Sequence, residues 1–157
     1  MFMQNFLDPN NVEIIFRLLV AVVCGMAIGA ERTLAHKTAG MRTCALVSMG
    51  AALFVVISEY MIMSFGNNIG TDPFRMASAV VSGVGFLGAG LIFMRDNEVK
   101  GVTTASSIWV AAGIGIACGF GMYIIGISAT IITLFIFVFL WSVEERFRKL
   151  KIYQNKE

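Results

Sequence analysis

The chain has 157 residues, of which 57% are hydrophobic and 14% charged, with a mean hydropathy of +0.79 and a formal net charge of +2. Soluble domains carry about 25% charged residues, so a water-soluble fold is excluded. The twelve basic residues punctuate apolar runs instead of clustering, which excludes a nucleic-acid surface and leaves the lipid bilayer as the chain's solvent.

The first span is predicted at about 12–30. No Lys or Arg precedes Arg17, and the apolar run leads into Glu31-Arg32 without an Ala-x-Ala exit, so the segment is expected to be retained, not cleaved as a signal peptide. Arg17 follows Glu13 by one helical turn and reads as a snorkelling arginine with an i,i+4 partner. Gly25 and Gly29 give the span a small-residue face for helix packing. The second span is expected at about 43–63, with Glu59 solvated at its outer end.

The third span is expected at about 76–94, after Asp72-Pro73, which reads as an N-cap followed by a first-turn proline. Within it Gly83-Val-Gly85-Phe-Leu-Gly88 matches the dinucleotide-binding fingerprint letter for letter. That fingerprint works only between a strand and a helix, where backbone amides meet a pyrophosphate. Inside an apolar run its glycines read as helix-packing residues.

The 42 residues Val102–Val143 contain no Asp, Glu, Lys, Arg or His. One helix of that length would run about 63 Å, roughly twice the hydrocarbon thickness. The stretch must therefore be two spans, at about 102–120 and 123–143, with Gly119, Gly121 and Gly126 near the reversal. Ala111, Gly115 and Gly119 repeat at four-residue spacing and form a second packing face. The expected fold is an all-α bundle of five transmembrane helices over 1–143, with a short basic tail at 144–157.

With five spans, ten basic residues fall on one side: Arg32, Lys37, Arg42, Arg95, Lys100 and five in the tail. Only Arg17 and Arg75 fall on the other. The positive-inside rule then places the N-terminus outside and the C-terminus in the cytoplasm. Tyr60, Tyr123 and Trp141 fall near span ends, as an aromatic belt requires. In the tail, Phe147 and Leu150 lie three apart among basic residues, a pattern suited to an anionic leaflet.

No Walker motif, zinc spacing or hydrolase elbow is present, so a non-enzyme without a cofactor is expected. Cys24, Cys44 and Cys118 read as small buried apolar groups, and His36 as a solvated loop residue. The block from Gly29 to Thr43 compresses Glu31, Arg32, Lys37 and Arg42 around Gly40. It reads either as ordinary anchoring or as a basic cradle for headgroups, phosphate or a partner's acidic loop. The functional candidates are Glu31, Arg32, Lys37, Arg42, Asp72, Arg75, Ser82, Thr103, Thr104 and Trp109. Most are polar or bulky where lipid or close helix packing favours something else.

The block just described, Leu46-Val47, Gly50-Ala51-Ala52-Leu53-Phe54, Asp72-Pro73-x-Arg75, Val80 to Gly90, Val99-x-Gly101-Val-Thr103-Thr104-Ala105 and Trp109 occur in this order. Together they resemble the transmembrane domain of the MgtC/SapB family over about residues 13–135. The likeness is closer to the shorter SapB-like members, because a basic tail follows Val143 where MgtC carries a soluble C-terminal domain. The resemblance implies a five-span protein of the bacterial inner membrane, linked to magnesium homeostasis or virulence.

Two functions are weighed. One is an interaction protein that binds another membrane protein, or itself as a homo-oligomer, through small-residue faces. The other is a transporter or channel for magnesium or another cation. Magnesium needs oxygen ligands, for which Glu31 and Asp72 are weak candidates beside Glu59. Hydroxyls at Ser82, Thr103, Thr104, Ser106 and Ser107 would line the path. A third reading makes Arg32, Lys37, Arg42 and the tail a lipid- or anion-binding scaffold.

Overall fold

The computed structural model describes residues 9–65, 72–95 and 97–154. Helix α1 covers Pro9–Leu34, with proline at its first position, where no intrahelical N–H is needed. It outlasts the expected span by a turn, because Glu31-Arg32-Thr33-Leu34 contains no helix breaker. Glu31 and Arg32 are therefore helical, not loop residues. The loop closes with the Lys37 amide donating to the Arg32 carbonyl at 2.9 Å, while His36 takes a left-handed φ of 55°. Helix α2 follows at Met41–Phe65.

Helix α3 spans Pro73–Leu91, and Asp72 caps it as expected: its Oδ1 accepts from the Phe74 amide at 2.9 Å. The third span ends three residues earlier than predicted. Phe93–Arg95 (β1) instead pairs antiparallel with Glu98–Lys100 (β2), a hairpin that apolar character alone does not distinguish from continuing helix. Asn97 sits in this turn at φ 62°, a conformation Asn tolerates better than most residues. Gly101, at φ 91°, passes the chain into α4, Val102–Gly119. A side chain there would meet the Leu91 carbonyl oxygen at 1.9 Å.

The predicted reversal falls at Phe120-Gly121-Met122, with Gly121 at φ 73°. Helix α5, Tyr123–Phe135, runs through a π-helical turn, Ile136–Leu140, into α6, Trp141–Gln154. The segment read as a tail is thus helical through residue 154. The pairing of Phe147 with Leu150 lies outside the described side chains. Among the described residues, five helical segments, 11–34, 41–63, 74–91, 102–119 and 123–147, are long and apolar enough to cross a membrane.

The contacts alternate the helix directions as five spans require. Arg17 of α1 meets Glu59 of α2 and Gly29 meets Met41, so those two helices are antiparallel. Gly115 packs on Ser48 and Gly119 on Val55, so α4 runs parallel to α2. The core lies where α1, α2 and α4 meet, around Ala21, Cys24, Ile28, Cys44, Ala52, Ala111, Ile114 and Cys118. The three cysteines are free and buried there.

Glycine sets the spacing in this core. A Cβ on Gly25 would stand 2.5 Å from the Cys44 carbonyl oxygen, and one on Gly29 2.5 Å from the Met41 Cα. On Gly115 it would stand 2.0 Å from the Ser48 carbonyl oxygen, and on Gly119 2.8 Å from the Val55 Cβ. Such backbone approach is how helices gain contact energy in lipid, where hydrophobic association contributes little. Helix α3 leans on α4 and α2 from outside, and most of its length is exposed.

Candidate functional site: two polar clusters at opposite ends

The charged side chains of the described bundle gather at its two ends. At the basic end, the last turn of α1 and the π-helical turn enclose a cavity of about 610 Å³. Its lining includes Glu31, Arg32, His36, Lys37, Thr103, Trp141 and Glu144. Arg32 is only 4% exposed, its guanidinium lying 3.8 Å over the Phe137 ring. Its Nε and Nη2 both pair with Glu31 Oε2. A cation held this way is stabilised by its carboxylate and by the negative face of the ring. The π-helical turn supplies Phe137, and such turns recur at functional sites.

At the other end, Arg17 joins three helices. Its Nη2 donates to Glu13 Oε1 at 2.7 Å, and its Nη1 to Glu59 Oε2 at 2.5 Å and to the Gly119 carbonyl at 3.0 Å. The predicted i,i+4 pair forms, but Glu59 is not a solvated end residue. It is the interhelical half of this node, at a separation of 42 residues that no local pattern reveals. Phe16 and Tyr123 pack edge to face beside it, with ring centroids 5.3 Å apart.

The remaining candidates are dispersed. Lys37 and Thr103 belong to the basic-end cavity, and the exposed Arg42 stands on the first turn of α2. Asp72 and the exposed Arg75 lie at the start of α3, at the end opposite Glu31. Ser82 is exposed on α3, and Trp109 is exposed beside a groove between α3 and α4. Thr104 is buried, and its carbonyl accepts from Ser107 Oγ at 2.7 Å, while Ser106 Oγ donates to the Val102 carbonyl at 3.0 Å. The Ser106 and Ser107 hydroxyls are thus engaged on their own helix instead of lining a path.

The glycine candidates divide. Gly25, Gly29, Gly115 and Gly119 are packed within the chain, and a Cβ on Gly88 would stand 3.6 Å from the Ala105 Cβ, an ordinary contact. A Cβ on Gly83 or Gly85 would meet nothing within 4 Å, so neither is in close contact with another helix among the described residues. Gly83 instead lines an apolar groove of about 470 Å³ between α2 and α3.

Glu31 and Asp72, the weak candidates for magnesium ligands, each have a carboxylate oxygen engaged, one by Arg32 and the other by the α3 cap. Among the described residues no three His, Cys, Asp or Glu side chains converge in a group that could hold a metal ion.

The family model described as MgtC family matches residues 18–146. "Putative magnesium transporter YhiD" of Escherichia coli K12 is 46% identical over 129 residues, covering 80% of this chain and 60% of the relative. "Protein MgtC" of Salmonella typhimurium LT2 is 41% identical over 138 residues, covering 88% and 57%. A Haemophilus influenzae protein is 40% identical over 131 residues, covering 81% and 55%. The chain therefore spans less than two thirds of the length of these relatives. No solved structure matches.

Proposed function

The chain belongs to the MgtC family, and from that premise we propose that it is a magnesium-linked bacterial inner-membrane protein that binds and regulates another membrane protein. The magnesium link rests on the name of the Escherichia coli relative. The observation that carries binding over conduction is the closed waist between the two polar clusters. There α1, α2 and α4 touch backbone to backbone at Gly25, Gly115 and Gly119, and the surrounding core is alanine, isoleucine and cysteine, with one hydroxyl residue, the buried Ser48, against Gly25 and Gly115. A hydrated divalent cation gives up its waters reluctantly and needs oxygen ligands along its way.

The partner surface also moves from where spacing alone would put it. Gly25 and Gly29 are consumed inside the chain, whereas Gly83 on α3, with open space around it, offers close approach to an incoming helix.

Reconstitution into liposomes tests this reading. Magnesium entry should not exceed that of protein-free vesicles, and a photo-crosslinker at exposed Phe86 on α3 should capture a defined membrane partner in native membranes. Saturable magnesium flux that disappears in Asp72→Asn would overturn the proposal and make the protein a transporter, as the relative's name suggests.

A further inference from the structure

The basic-end cavity has a donor arrangement that the Arg32–Glu31 pair leaves incomplete. Glu31 occupies Nε and Nη2 of Arg32, and Phe137 covers one face of the guanidinium. Nη1 has no acceptor among the described residues, although the side chain is 5% exposed. A buried guanidinium with open N–H groups seeks an oxyanion, for which its planar fork is well shaped. Lys37 adds a second cation at the rim and Thr103 a hydroxyl. Glu144 is the one lining carboxylate not paired with Arg32.

Apart from the His36 imidazole, the rest of the wall is hydrocarbon and aromatic, with Leu34, Leu140 and Trp141 prominent. The cavity lies where α1 and the fifth span leave the apolar layer, the depth at which tryptophan settles in membranes. Its volume of about 610 Å³ falls within the range of small-molecule pockets, roughly 300–1,000 Å³.

We propose that this cavity binds the phosphate group of a phospholipid headgroup. The phosphate oxygens lie against Arg32 Nη1 and Lys37, a headgroup amine lies near Glu144, and the acyl chains leave along Leu34 and Leu140. A free phosphate shares the oxyanion chemistry but leaves the apolar wall and Glu144 without a role. This inference goes beyond the proposed function and does not depend on whether the bundle conducts magnesium.

The test uses the full chain purified in mild detergent. Native mass spectrometry follows retention of phosphatidylethanolamine and phosphatidylglycerol, and a parallel thermal-shift series adds inorganic phosphate alone. One phospholipid should be retained per chain, with ethanolamine preferred over glycerol, and Glu144→Gln should remove the preference.

Lys37→Gln, at the exposed rim, should weaken retention about tenfold through loss of one charge-assisted contact. Arg42→Gln, an exposed cation outside the cavity, should leave it unchanged. Arg32→Lys keeps the charge and loses the fork, and should weaken retention more than Lys37→Gln. If Arg32→Lys does not fold, the rim variant decides.

Stabilisation by inorganic phosphate equal to that by lipid, and lost in Lys37→Gln, would support the oxyanion site while overturning the lipid as its source. Equal retention of the two lipids would overturn the amine contact. No retained lipid together with no phosphate effect, or equal losses in Arg42→Gln and Lys37→Gln, would overturn the site altogether.

Discussion

Gly115→Ala adds a single methyl group where the structure has no space for it. The new Cβ would stand 2.0 Å from the Ser48 carbonyl oxygen, 2.8 Å from its carbon and 2.9 Å from the Ala51 Cβ, whereas ordinary contact begins at 3.4 Å. Backbone atoms of α2 cannot escape by changing rotamer, so α2 and α4 must part by roughly 1 Å or more in a close-packed interior. Overpacking typically costs about 1–3 kcal/mol. Parting the helices also loosens the neighbouring contacts at Gly119 and around Cys118, so the upper end, near 3 kcal/mol, is expected.

The control is Gly113→Ala on the same helix, where a Cβ meets nothing within 4 Å. There the higher helix propensity of alanine should stabilise, by up to about 1 kcal/mol. Thermal and SDS unfolding of the two purified variants, followed by circular dichroism, measures both. A Gly115→Ala protein within about 0.5 kcal/mol of the parent, the range of ordinary surface substitutions, would refute the backbone-packed waist. So would equal destabilisation of the two variants.

At the Arg17 node, Glu59→Gln should cost about 2 kcal/mol, between the values for exposed and buried pairs, because the two side chains are 15% and 34% exposed. Adding Arg17→Gln should cost less than the sum of the single changes, which a double-mutant cycle in SDS unfolding reads. Asp72→Ala removes the α3 cap and should lower stability by about 1 kcal/mol, while Asp72→Asn retains a capping oxygen. Loss of function in the Asn variant at full stability would assign Asp72 a role besides capping. Gly101→Ala combines a left-handed φ with a carbonyl 1.9 Å away and should abolish recoverable folded protein. Gly121→Ala, whose nearest neighbour is Arg17 Nε at 3.6 Å, carries only the backbone strain of about 1–2 kcal/mol, as melting in detergent should show.

Much of the scaffold was legible in the residues because lipid imposes simple rules. A charge-free run too long for one crossing predicted the turn at Gly121, and Gly25, Gly29, Gly115 and Gly119 announced close helix approach. Their spacing does not say which face of a helix meets its neighbour. That is why Gly83 and Gly85, read by the same rule, border open grooves instead of close helix contacts.

The β-hairpin went unread because Phe93 and Met94 continue the apolar character of α3. The Asp96-Asn97 pair between alternating residues was the available turn signal. Arg32 was placed in a loop because hydropathy marks where the hydrocarbon ends and not where the helix ends. Its burial under Phe137 depends on the π-helical turn, which joins positions 105 residues apart.

The Arg17 node also bears on how the chain enters the bilayer as it is synthesised. An arginine in a membrane segment opposes insertion, by about 2.5–3.5 kcal/mol at the helix centre, and its interhelical partner Glu59 is translated 42 residues later. Glu13 lies one turn before Arg17 on the same helix, so the first span can enter with its cation already matched. Helix α2 then brings Glu59, and the end of α4 brings the Gly119 carbonyl. Each later arrival brings an acceptor to an N–H donor waiting on the same guanidinium, which makes Arg17 a fixed point on which successive spans are assembled in the order of their translation.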